Sequence, residues 1–241
     1  MKAIIGYTAI FTLLILMNSG CTSSVKETKN QVQLVGQMKD VMRKGQLQGN
    51  INLDTITDKK HLFGLGPVAY LTGEILILDG KSYKSTVLTD TTMRVEETFA
   101  IEAPFFGYAN IPQWSTQALP DSIANQSQLE RYLNQITQNA PRPFFFQLTG
   151  TVDEAAIHIV NLPEGTKVSS PEEAHQGLVD YHLTQQDVTI VGFFSTEHQA
   201  IFTHHDTFIH MHLITKDQQM MGHIDEVHFK KGTMTLHLPK E

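Results

Sequence analysis

An α+β fold with a β-rich C-terminal half is what this 241-residue sequence predicts, on three observations. Apolar residues recur at three- and four-residue spacing in two segments, 31–44 and 128–137. An apolar run over 68–78 ends at Asp79-Gly80, a dipeptide suited to a tight hairpin turn. After Pro143 come six short runs rich in β-branched and aromatic residues, separated by turn residues.

The first residues read as an export signal, outside the fold. Lys2 supplies a short positive start, residues 3–17 are almost wholly apolar, and Asn18-Ser19-Gly20 leads into Cys21. Residues 1–20 are therefore assigned to a signal peptide and the polar residues 21–30 to a tether. Cys21 follows small residues as in a bacterial lipoprotein processing site, although Asn18 stands where such sites carry an aliphatic residue. The expectation is an exported lipoprotein, periplasmic or at the cell surface, anchored in the membrane through lipidated Cys21. Because Cys21 is the only cysteine, no disulfide can form within the chain. The net charge is −7 with no basic patch, which argues against a nucleic-acid partner.

Residues 31–140 read as an N-terminal α/β part. Leu34, Met38, Val41 and Met42 mark a helix over 31–44, and Gly45 is a natural stop. Residues 50–61 give a helical turn or loop. The run 68–78 is a strand, 81–88 returns from the Asp79-Gly80 turn, and 91–103 contains a further strand. Leu129, Tyr132, Leu133 and Ile136 form one helical stripe, ended by Pro141-Arg142-Pro143. Residues 141–241 form the β-rich part, with strands at 144–152, 157–162, 188–196, 208–215, 223–230 and 233–238. Ser170, Pro171 and Glu173 are a helix start, with a capping hydroxyl, proline at the first position and an acid at the third.

The chemistry concentrates near the C-terminus. Along a strand, His210 and His212 point to one face while Ile209, Met211 and Leu213 point to the other. A hairpin centred on residues 216–219 pairs His212 with His223, with Cβ atoms about 4.5–5.5 Å apart. Three imidazoles converging at that range can share one metal. Seven of the twelve histidines follow residue 200, so ordinary strand residues remain an equal reading at this point. Glu74 is the acidic candidate. Set among Ile75, Leu76 and Ile77, it lies either on a solvated strand face, which the local sequence favours, or buried with a raised pKa.

These residues resemble the α-acetolactate decarboxylase family over about 32–239. Three blocks carry the resemblance. The first is Phe63-Gly64-Leu65-Gly66 with Leu71-Thr72-Gly73-Glu74-Ile75, Asp79-Gly80 and Tyr83. The second is Thr189-Ile190-Val191-Gly192-Phe193. The third is His210-x-His212 with Gly222-His223, including the eleven-residue step between the last two histidines. The resemblance implies zinc held by His210, His212 and His223, with Glu74 in the site managing a proton. It also implies a two-domain α/β fold whose C-terminal part is a β-barrel. Two departures stand out. Aligned on Gly150, Gln147 occupies the place of a family arginine credited with the substrate carboxylate, and Thr149 that of an aspartate. The sequence given also stops where a family tail with a second glutamate begins. Gln147 is thus the candidate carboxylate contact, through one neutral hydrogen bond. The function implied is zinc-dependent decarboxylation of 2-acetolactate to acetoin. The alternative is a surface zinc lipoprotein of the same fold that binds or processes another hydroxy-carbonyl compound. The expected partners are a small-molecule substrate and, as a homodimer, a second copy of the chain.

Overall fold

The structure, a computed structural model, describes residues 30–240, so the signal-peptide and Cys21 readings lie outside the described residues. Strand β1 (Gln33–Val35) precedes helix α1 (Met38–Lys44), which is shorter than the periodicity suggested. Gly36 explains the difference. It takes φ +68 against the Pro104 carbonyl, where a Cβ would stand 2.1 Å from the oxygen, so a helix cannot run through it. Gly45 ends α1 in the left-handed conformation, as expected.

Strands β2 (Ile51–Asn52), β3 (Leu62–Pro67), β4 (Glu74–Leu78), β5 (Lys81–Thr89), β6 (Thr92–Glu97), β7 (Glu102–Ala103), β8 (Phe106–Asn110) and β9 (Trp114–Ala118) follow. Six strands make the first sheet, ordered β1-β8-β3-β4-β5-β6, and β2 pairs with β7. The expected strand over 68–78 is divided. Residues Ala69–Leu71 form a 3₁₀ turn in which Tyr70 and Leu71 take φ 60 and 53, and the strand begins only at Glu74. The Asp79-Gly80 turn is present, both residues at positive φ, and sets Leu78 opposite Lys81.

Helix α2 (Gln126–Ile136) starts where Asn125 accepts a hydrogen bond from the Gln128 N–H, and it buries Leu129 and Leu133. Strand β10 (Phe144–Ile159) joins two expected strands into one, because β11 (Val179–Phe194) pairs along its length and the break at Asp153 is only a register shift against the neighbouring strand. Helix α3 (Pro171–Ala174) lies between them, capped by Ser170 as expected. Strands β12 (Ile209–Thr215), β13 (Met221–Phe229) and β14 (Thr235–Pro239) complete the chain. The second sheet runs β11-β12-β13-β10-β14-β9. Because β10 also pairs with β11, strands β10 to β13 hydrogen-bond in a cycle around an apolar interior. The two sheets meet through a second core in which Leu65, Leu76 and Phe105 pack with Phe145, Val191, Phe193, Ile214 and Met221. Burial of each such side chain contributes roughly 1.5–3 kcal/mol. Among the described residues, no helix is long and apolar enough to cross a membrane.

Candidate metal centre

Strand pairing builds the centre. His212 sits directly opposite His223, the register the hairpin symmetry predicts. His223 in turn pairs with His158 of β10, and His210 lies two residues along β12 on the same face as His212. The imidazoles of His210, His212 and His223 converge, with ligand nitrogens within 4.8 Å of one another and all three side chains buried. Gly222 permits this closeness. A Cβ there would stand 2.6 Å from the His158 carbonyl oxygen, so only glycine lets β13 lie this near β10.

Glu74 faces the imidazoles from the first sheet. The wet strand face favoured by its local sequence is not what forms: Glu74 is 3% exposed. Its Oε2 lies 3.6 Å from His212 Nε2, and its Oε1 accepts the Val160 N–H at 3.3 Å. Burial pushes its pKa from the ordinary 4.5 up to about 8, against the opposing pull of His158 and the Val160 N–H.

The donor set fits a zinc ion. Burial, with the charge of neighbouring histidines, holds His210 and His223 well below the usual histidine range, and burial brings His212 down to about 3. All three are therefore neutral and able to ligate at neutral pH. His210 donates Nδ1–H to the Phe202 carbonyl at 2.8 Å, which leaves Nε2 as the free lone pair. Neither ring nitrogen of His212 has a hydrogen-bond partner at normal geometry, although both are buried. A buried polar atom in that state calls for a ligand.

Sequence reasoning missed His158, His175, His204 and Asp225. His158, His175 and His204 line the cavity with Glu74, His210 and His223. The His158 Nδ1–H donates to the Asp225 carboxylate at 2.8 Å. Burial alone would lower the His158 pKa, but this bond and the charges of Glu74, Asp225 and Asp180 outweigh it and raise it. Two signals were available. Asp225 stands two residues after His223, on one strand face, and His158 is a lone imidazole in the apolar Ile157-His158-Ile159. Gln147 is placed differently. It shares the histidine face but is separated from His212 by Val191 on β11, pairs on its other side with His237, and does not line the cavity.

The sequence matches the family of alpha-acetolactate decarboxylases over residues 35–241. No curated protein matches it. The fold is similar to that of alpha-acetolactate decarboxylase from Bacillus subtilis strain 168, with a TM-score of 0.72 and 20% identity, covering 88% of this chain and 86% of that one. It is also similar to a Staphylococcus aureus protein of unknown function described as similar to alpha-acetolactate decarboxylase. There the TM-score is 0.69 and the identity 15%, with 86% and 84% covered. The chain belongs to the alpha-acetolactate decarboxylase family.

Proposed function

We propose that this family member is a zinc-dependent carboxy-lyase that converts 2-acetolactate into acetoin. One observation carries the reading: three buried, neutral imidazoles facing a buried carboxyl group, in a chain matched to the family from residue 35 onward. Held by His210, His212 and His223, zinc supplies a Lewis acid for negative charge growing on a carbonyl oxygen. The remaining roles fall to side chains. His158, fixed by Asp225, lines the cavity and takes the role of polar contact to the substrate carboxylate that the sequence comparison had given to Gln147. Leu71, Phe105 and Val160 form an apolar wall that limits water. As the bond to the carboxylate breaks, carbon dioxide leaves and the electron pair passes into the adjacent carbonyl as an enediolate. Glu74, whose burial favours the protonated form, gives its proton to the carbon that lost the carboxylate and is reprotonated from solvent.

We further propose export and membrane anchorage through Cys21, and read the cycle of β10 to β13 as the barrel-like half of the fold. The alternative, a zinc protein acting on another hydroxy-carbonyl compound, draws support from the small size of the cavity, about 30 Å³. The test is zinc-loaded protein with 2-acetolactate, acetoin being measured against the spontaneous rate. Turnover should exceed that rate, and Glu74→Gln should remove most of it while zinc stays bound. Wild-type protein no faster than the spontaneous reaction would overturn the decarboxylase reading.

A further inference from the structure

Two unlike walls enclose the cavity at the imidazoles. One is polar, made by Glu74 with a set of rings that includes His158, His210 and His223. The other is apolar, with Met38 and Met42 of α1 beside Pro67, Leu71, Phe105 and Val160. The space between them is about 30 Å³, room for about two waters. A hydroxy-ketone with an alkyl group on each side is larger than that, so a wall must give way when one binds. The polar wall is braced. Asp225 holds His158, the Phe202 carbonyl holds His210, and the Val160 N–H holds Glu74.

Most of the apolar wall is braced too. Leu71, Phe105 and Val160 are buried. The Leu71 carbonyl accepts the Leu162 N–H at 2.8 Å, and the Phe105 ring stands edge-on to Phe202, with 5.9 Å between centroids. Pro67, which ends β3, is a rigid ring. Met38 and Met42 differ. They stand one turn apart on the same face of α1 and are only partly buried. Their side chains are unbranched and flexible, and adapt to irregular space. The backbone beneath them does not share that freedom. Gly36 and Gly45 lie against the Pro104 and Val168 carbonyls at either end of the helix. The Met38 and Lys39 N–H groups donate to the Ile201 and Ala200 carbonyls, and Val41 between the two methionines is buried. What yields at this wall is therefore the pair of thioether arms, on a helix that stays in place.

We propose that Met38 and Met42 are specificity residues that contact the alkyl groups of the substrate and limit their size. With the two oxygens of a hydroxy-ketone turned to the polar wall, its alkyl groups lie on the opposite edge and face the methionines. The proposal rests on and deepens the reading of the centre as a site for hydroxy-carbonyl compounds, and its test needs no turnover. The zinc-loaded full chain, with isotope-labelled methionine methyl groups followed by NMR, is titrated with acetoin and with propioin, which carries one more methylene on each side. The Met38 and Met42 methyl signals, assigned from the two alanine variants, should shift saturably, and that of Met234, in the other core, should not. A single methylene in an apolar pocket is worth about 10–200-fold, so wild type should bind acetoin at least about tenfold more tightly than propioin. Met38→Ala and Met42→Ala each remove the arm beyond Cβ, and in each the remaining methionine reports binding. The preference for acetoin should fall at least about threefold in each variant. Because it is a ratio measured on one protein, a loss of stability common to both ligands cancels. A preference unchanged in both variants, or Met38 and Met42 signals that neither ligand moves, would overturn the proposal. Acetoin formation from 2-acetolactate, measured on the same samples, separates the two readings. Shifted signals and an altered preference without turnover would refute the decarboxylase reading and leave the methionine assignment standing; turnover with silent methionine signals would do the reverse.

Discussion

The burial of Glu74 has a consequence measurable without substrate or metal. Its folded pKa is about 8 against an ordinary 4.5, so the folded state holds this proton more tightly than the unfolded state does. The stabilisation is complete below pH 4.5 and is lost as the pH rises towards 8. Each pH unit within that span is worth about 1.4 kcal/mol. Between pH 6.5 and 8 metal-free protein should lose about 2 kcal/mol through Glu74, which lowers Tm by about 4–8 °C for a chain of this size. This window separates Glu74 from the three ligand histidines. Their pKa values are depressed, so their contribution is present above the ordinary value of 6.5 and is lost only as the pH falls below it. His158 has a raised pKa and acts in the same direction as Glu74, so the comparison is with Glu74→Gln, which keeps His158. Thermal melts of metal-free wild type and Glu74→Gln at pH 6.5 and 8 are the assay. Wild type should lose several degrees more than the variant, and equal losses would refute the claim that Glu74 is buried as a neutral acid.

Three other outcomes follow from the same geometry. Purified protein should hold about one zinc per chain, and His212→Ala should lower both zinc content and the Tm of the zinc-loaded form; full occupancy with an unchanged Tm would contradict the ligand assignment. Gly222→Ala should cost about 1–3 kcal/mol and weaken zinc binding, since the added methyl meets the His158 carbonyl oxygen; titration with zinc and denaturant melts check both. Cys21→Ser should move the protein from the membrane fraction to a soluble exported fraction, and an unchanged distribution would count against lipidation.

The parts of the site legible in the sequence are those fixed by local rules. Strand alternation puts His210 and His212 on one face, and the symmetry of a short hairpin pairs His212 with His223, which is the observed register. Helix α2 and the cap of α3 were legible for the same reason, since each depends on residues within one or two turns. Glu74 was misjudged because its surroundings come from far along the chain: His212 from the second sheet and the Val160 N–H from the end of β10. Strand β1 was lost to helical periodicity because its pairing with β8 and the Pro104 carbonyl beside Gly36 are both non-local. His158 failed to register for a related reason. Joining β10 into one strand of 16 residues is what carries it to a place opposite His223.

The cost of the site is itself an argument for a metal. A buried polar atom with no partner costs about 1–3 kcal/mol. His212 is fully buried; the Ile75 backbone interacts with its ring, but neither ring nitrogen has a partner at normal hydrogen-bond geometry. A chain selected for stability alone would place an apolar side chain there, as it does at Leu213 and Ile214 on the same strand. The neighbouring groups deepen the expense, since Glu74 is held protonated and His210 and His223 are held neutral. One divalent cation would reverse most of these terms together. It would supply the missing partner for His212 and favour the neutral imidazoles as ligands. It would also draw the Glu74 pKa down towards the range in which the group can both give and regain a proton. The zinc reading therefore rests on two separate supports: the convergence of three rings, and a set of unfavourable burials that a cation at those rings would offset.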